Sequence, residues 1–165
     1  MDAILRWGGH ASLSPTTMRE CRVLDYWWQK FEHVSGERLV SGKGLQNILE
    51  ALCFIEGEDI NHGLSPQDIS KKALEKSDKL CEETLDIFCG LLGVVAGNLA
   101  LTLGAKGGVY IGGGIVPKLG SFFESSSFRE RFEGKGRLYD YLKDVPVFVI
   151  KTKHPALIGI SQAFK

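Results

Sequence analysis

The chain has 165 residues, a length that suits one domain able to bury a real core. Lys and Arg together number 20 and Asp and Glu number 20, so the formal net charge is zero. That balance argues against a nucleic-acid surface, which needs a basic excess.

The chain opens on a stretch too short and too polar for a secretory signal. It then runs Arg-Trp-Gly-Gly-His-Ala-Ser-Leu-Ser-Pro from Arg6. Gly8-Gly9 permits positive φ and the close approach of another group, and His10 stands at the edge of the turn. Ser14-Pro15-Thr16-Thr17, with Glu20 on the far side of the first turn, marks a helix entry. Val23, Trp27, Phe31 and Val34 recur at helical spacing behind it.

A second helix is predicted from Ser41 to about Ile55, burying Leu45, Ile48, Leu49 and Leu52. A polar loop follows, from Glu56 to Gly63. Ser65-Pro66-Gln67-Asp68 starts a third helix, with Pro at its first position where it costs no hydrogen bond. Lys71-Lys72 reads as its solvated face.

The fourth helix is predicted from about Ser77 to Leu103, stopped by Gly104. Its second half is apolar nearly all round but carries Asp86 and Asn98, and it reads as a buried core helix rather than a membrane span. Gly90, Gly93 and Gly97 form a stripe that is costly in a helix, which implies a neighbour packed close against it.

Val109 to Ile111 reads as a short buried strand, followed by the glycine turn Gly112-Gly113-Gly114 and a helix opened by Pro117. Val145 to Ile150 reads as a second strand, and Pro155 to Phe164 as a terminal helix. A helix between two apolar strands implies parallel pairing and an α/β class. Two strands are too few for a stable parallel sheet, so further strands are expected outside this chain.

Cys21, Cys53, Cys81 and Cys89 form no C-x-x-C pair and no zinc spacing. Three of them fall among apolar residues, as free thiols do in a reduced, cytoplasmic protein.

The candidate chemistry is sparse. The glycine turn follows a strand, where a flat base or a phosphate can approach the backbone, but a purely structural turn reads the same way. It is not a dinucleotide fingerprint, because Pro117 stands where the third Gly belongs. Nor is the stretch from Gly36 to Gly42-Lys43 a P-loop, since it has one residue too many and Gly44 replaces the Ser or Thr. Glu37 can accept hydrogen bonds from vicinal hydroxyls or simply pair with Arg38. His10 fits a ligand-binding or a merely hydrogen-bonded role. No catalytic triad can be argued from these spacings.

Taken together, four stretches resemble the bacterial glucokinases, ATP-dependent sugar kinases of the hexokinase type. Gly8-Gly9-His10 resembles the family's Glu-Gly-Gly-His sugar loop. "HVSGERLVSGKGL", from His33 to Leu45, resembles its second sugar-contacting segment. "GNLALTLGAKGGVYIGGGIVPK", from Gly97 to Lys118, resembles its helix, strand and adenosine-side turn. "FRERFEGKGRLYDYLKDVPVFVI", from Phe128 to Ile150, resembles the closing segment of its larger lobe.

The resemblance implies an actin-like, ribonuclease-H-like ATPase fold, of which residues 1–165 are the C-terminal part of the large domain, helix-rich and with few strands. It implies glucose and ATP with Mg2+ as ligands. His10 and Glu37 would hold sugar hydroxyls, and Gly112, Gly113 and Gly114 would lie beside the adenosine. No metal ligand and no catalytic residue is expected in this chain. The family's Asp-x-Gly-Gly-Thr phosphate loop and the Asn-Asp pair carrying its general base do not occur in the sequence. Trp7 stands where the sugar-loop Glu is expected, which makes residues 1–7 read as the product of a shifted gene start. The expectation is a chain inactive alone, with a sugar- or nucleotide-binding fragment or a degenerate remnant as alternatives. No nucleic acid or membrane partner is expected. Self-association, or docking of the missing N-terminal lobe, is expected to cover the open sheet.

Overall fold

The computed structural model of the chain describes residues 8–60, 63–152 and 155–163. Helix dominates. After a 3-10 turn at Gly8–His10 come α1 (Met18–Trp28), α2 (Gly36–Leu39), α3 (Gly42–Glu56), α4 (Pro66–Leu74) and α5 (Lys79–Leu103). Strand β1 (Val109–Ile111) leads through α6 (Val116–Leu119), α7 (Ser121–Ser125), α8 (Phe128–Glu133) and α9 (Tyr139–Leu142) to β2 (Val147–Val149). Helix α10 (Pro155–Ala163) ends the described chain.

Side chains fix the helix starts. Thr17 accepts from the Glu20 amide, and Glu20 reaches back to the Thr17 amide at 3.0 Å and the Thr16 amide at 2.6 Å. Ser65 and Asp68 form the same reciprocal box at α4, with Pro66 in the first turn. Ser41 caps α3 by accepting from the Gly44 amide at 3.0 Å. Asp78 caps α5, accepting from the amides of Leu80 and Cys81. The cap is therefore one residue beyond Ser77, whose hydroxyl turns back to the Lys72 carbonyl. Gly104, at φ 62, stops α5 as expected.

Two predicted boundaries move for identifiable reasons. The first helix ends at Trp28, where the last turn tightens: the Lys30 amide bonds the Trp27 carbonyl three residues back, and the Phe31 amide shares that carbonyl. Phe31 stacks on Trp27, with ring centroids 5.7 Å apart, while Val34 is buried by a separate route. The second strand shrinks to Val147–Val149. Pro146 still accepts from the Val109 amide, and Ile150 donates to Ile111, at its two ends.

Helix α5 is the spine. It is long and apolar enough to cross a membrane, yet 67% of its most apolar window is buried within the protein. Helices α3 and α4 pack along it, and α8 lies across the glycine stripe. A Cβ on Gly93 would stand 2.3 Å from the Phe128 carbonyl oxygen, and one on Gly97 would stand 2.5 Å from that of Phe132. The stripe lets the two backbones touch, and Phe128 and Phe132 are buried beside it. Leu85, Leu91, Leu24, Leu39 and Leu52 fill the surrounding core, each worth about 1.5–3 kcal/mol of burial.

The two strands pair in parallel, Val109 with Val147, Tyr110 with Phe148 and Ile111 with Val149, as the sequence implied. Tyr110 and Phe148 stack at 5.0 Å on an exposed face of this sheet. The class is α/β, helix-rich with few strands.

Replacing Gly93 by Ala forces α8 away from α5. The expected loss is about 1–3 kcal/mol, larger than the roughly 1 kcal/mol that Ala contributes as a helix former. Urea unfolding checks it, with the exposed Asn98→Ala on the same helix expected to stay within about 0.5 kcal/mol of the parent.

Candidate functional site

The N-terminal turn is held to the segment before α2 by backbone. Leu13 donates to the Val34 carbonyl at 3.2 Å, Gly36 donates to that of Ala11 at 3.0 Å, and Ser12 and Ser35 form an antiparallel bridge between them. The His33 ring adds a contact from Nε2 to the His10 carbonyl at 2.8 Å. Gly36 is buried, and a Cβ there would meet Val95 of α5 at 3.7 Å. The bridge thus fixes the start of α2 against the spine.

This lattice brings His10 and Glu37 together, 27 positions apart in sequence. Nε2 of His10 lies 3.2 Å from Oε2 of Glu37, and both side chains are more than half exposed. Gly9 does not use positive φ. A Cβ on Gly9 would meet Glu37 Oε2 at 3.5 Å, an ordinary contact, and one on Gly8 would meet nothing within 4 Å, so crowding does not demand glycine at either position. Glu37 makes no ion pair with Arg38, the alternative the sequence left open. The Arg38 guanidinium lies over the Phe31 ring, 3.7 Å from its centroid, and its carbonyl accepts from Asn47. Trp7 lies outside the described residues.

An open cavity of about 310 Å³ spreads from this pair, lined also by His33, Arg38, Lys43 and Asn47. Its lining side chains all carry polar groups, which suit hydroxyl-rich or charged ligands. The His–Glu pair presents a donor and acceptors to vicinal hydroxyls without further rearrangement.

The glycine turn builds a different surface. Gly113 sits at φ 123, a conformation that strongly favours glycine. Gly112, Gly113 and Gly114 are exposed, and nothing lies within 4 Å of where a Cβ on Gly113 or Gly114 would be. Helix α6 beyond the turn is only four residues long, so it offers no useful dipole to an anion. What the turn does border is a cavity of about 540 Å³, lined by Gly114, Ile115 and Leu119, by Leu45 of α3, and by Pro66, Ser70 and Leu74 of α4. Apolar walls with a few polar groups at the rim suit a flat heterocycle.

The cavity residues of α4 were missed in the sequence. Gln67, Ser70, Lys71 and Leu74 fall at i, i+3, i+4 and i+7, one face of the helix. The signal in the sequence is Leu74, an apolar residue exposed on the same face as Lys71.

The first turns of α3 join the two regions. Lys43 and Asn47 line the polar cavity, while Gly42 and Leu45 line the apolar one. Both cavities therefore share one helix, anchored by the Ser41 cap and by Trp27, whose indole donates to the Asn47 carbonyl at 3.0 Å.

All four cysteines are unbridged, and burial pushes the Cys81 and Cys89 thiols up to about 12, too high for a thiolate at neutral pH. Among the described residues no three His, Cys, Asp or Glu side chains group as a metal site.

A family model described as Glucokinase matches residues 3–165. A curated glucokinase of Chromobacterium violaceum is 53% identical over 93% of the chain, which spans 44% of that relative. The solved glucokinase of an Antarctic psychrotroph is 37% identical and superposes with a TM-score of 0.88, over 96% of this chain and 49% of that one. The glucokinase of Balamuthia mandrillaris, solved in complex with glucose, shares the fold at a TM-score of 0.79 and 20% identity, over 91% of this chain and 44% of its own. The chain thus spans about half the length of the relatives it matches.

Because the His10–Glu37 pair is exposed, it contributes little to stability. His10→Ala is expected to change the unfolding free energy by less than about 1 kcal/mol in urea titration. A larger loss would assign the pair a structural role.

Proposed function

This chain belongs to the glucokinase family, and from that premise we propose that it forms the sugar and adenosine halves of a site that transfers the γ-phosphoryl group of ATP to the 6-hydroxyl of glucose. The observation that carries the reading is the shared helix. A polar cavity with a His–Glu pair and an apolar cavity beside a glycine turn lie against adjacent faces of the first turns of α3. Phosphoryl transfer depends on holding acceptor and donor in one geometry, and a common rigid element serves that.

In this reading Glu37 accepts from sugar hydroxyls and His10 donates or accepts beside it. Gly112, Gly113 and Gly114 let the adenosine approach the backbone, and Leu45, Ile115 and Leu119 cover the base. Magnesium enters with ATP as part of the substrate. The base that takes the proton from the 6-hydroxyl, and the loop that orients the phosphates, belong to the half of the relatives this chain does not span. General-base help is typically worth 10²–10⁴-fold, so the chain alone binds without turning over.

The same reading makes the chain part of the larger lobe of an actin-like ATPase fold. The exposed Tyr110 and Phe148 face is then covered by the rest of the lobe or, without it, by a second copy. The four free thiols support a cytoplasmic location.

With Mg·ATP and glucose, the purified chain is expected to release no ADP above background. Glucose is nevertheless expected to raise its melting temperature, an effect lost in Glu37→Ala. Saturable ADP release would show that a residue within these 165 acts as the base. Equal stabilisation of parent and Glu37→Ala would remove Glu37 from the sugar site.

A further inference from the structure

Both side chains of the His10–Glu37 pair are more than half exposed, so their own attraction holds the pair only weakly. His10 also stands at a junction in the backbone. The 3-10 turn ends as Ala11 donates to the Gly8 carbonyl at 3.2 Å, and the bridge to residues 34–36 begins as Gly36 donates to the Ala11 carbonyl at 3.0 Å. Gly8 and Gly9 leave the chain before His10 wide conformational freedom. The His10 carbonyl falls between turn and bridge, and a side chain reaches it there: Nε2 of His33, at 2.8 Å. A carbonyl oxygen only accepts, so Nε2 of His33 carries the proton. The ring thus extends the bridge by one rung. One segment, from His33 to Glu37, grips His10 at both ends, with an imidazole on its carbonyl and a carboxylate on its own ring.

We propose that His33 is a positioning residue for this pair, its ring holding the His10 backbone so that the His10 imidazole meets Glu37. The proposal rests on the reading of His10 and Glu37 as the sugar pair, and His33 acts in it through His10 rather than on the sugar. A pair set before the ligand arrives loses less freedom on binding than one that must be gathered. His33 and His10 are both exposed, so removing the His33 ring opens no void in the core and strands no buried polar group. The loss then falls on the geometry of the pair and not on the fold. Side-chain chemistry separates the bond from the bulk of the ring. Glutamine can offer an N–H donor where histidine offers Nε2, whereas phenylalanine keeps a ring and lacks the donor.

Two kinds of readout on the 165-residue chain test this, in the parent and in His33→Ala, His33→Phe and His33→Gln. Without ligand, NOEs between the His10 ring and the Glu37 side chain report the pair, and hydrogen exchange at the Leu13 and Gly36 amides reports the bridge. With glucose, isothermal titration reports affinity. The NOEs are expected in the parent and in His33→Gln and are expected to vanish in His33→Ala and His33→Phe, with amide protection unchanged throughout. Glucose affinity is expected to fall about three- to tenfold in His33→Ala and His33→Phe and to stay within about twofold of the parent in His33→Gln. NOEs that persist in His33→Ala and His33→Phe overturn the proposal even if affinity falls, because His33 then touches the sugar itself. Lost protection at Leu13 and Gly36 in those variants makes the ring a prop of the bridge and overturns it too, as does a failure of His33→Gln to restore the NOEs. Loss of the NOEs with glucose affinity unchanged, or with no glucose binding by the parent, supports His33 as the residue that positions His10 and overturns the sugar reading of the pair.

Discussion

The carbonyl oxygens of Phe128 and Phe132 stand where side chains on Gly93 and Gly97 would have to be. This contact between two helix backbones is the constraint from which the rest of the molecule hangs. It sets α8 against α5, and α8 begins the return of the chain towards β2. Arg129 of α8 donates to the carbonyls of Val145 and Lys143, tying that return in place. The parallel pairing of β2 with β1, and hence the aim of the glycine turn, follows from where α8 docks.

Other faces of α5 carry the elements around the His10–Glu37 pair. Helices α3 and α4 pack along α5, and a Cβ on Gly36 would stand 3.7 Å from Val95. A polar network reinforces this seat. Arg19 of α1 bonds Glu83 of α5 and Glu56 of α3 at 2.6–2.9 Å, and these hydrogen bonds hold its guanidinium charged. Tyr26 of α1 donates to Glu50 of α3 at 2.7 Å. The candidate residues themselves are exposed and weakly tied, so the rigid parts lie beneath the site rather than within it.

The sequence showed most of the scaffold because its signals were local. Thr17 with Glu20, Ser65 with Pro66 and Asp68, and Gly104 each mark a helix end through a contact a few residues long. The glycine stripe announced a close neighbour, but it could not say that the neighbour was α8, which begins more than 30 positions later. Phe31 and Val34 kept a helical period past the true end of α1, because burial by tertiary contact mimics the pattern of a helix face. Helices α7 and α9 were invisible for a similar reason: each is about one turn, too short to show a period. At the site, residue types pointed to His10, Glu37 and the Gly112–Gly114 turn, with family resemblance supplying their roles. Their spatial logic was not legible. The bridge between residues 11–13 and 34–36, and the sharing of α3 by two cavities, depend on contacts far apart in sequence.

The central proposal is that α3 carries one half of a kinase site, with sugar on one face and adenosine on the other. Amide chemical-shift mapping tests it most directly, with glucose and ATP titrated separately into labelled chain. The account predicts that glucose perturbs Gly9, His10, Glu37 and Lys43, that ATP perturbs Ser70, Leu74 and Gly112 to Ile115, and that Gly42 to Leu45 respond to both. Overlapping perturbations at a single cavity, or shifts confined to the exposed Tyr110 and Phe148 face, would contradict it.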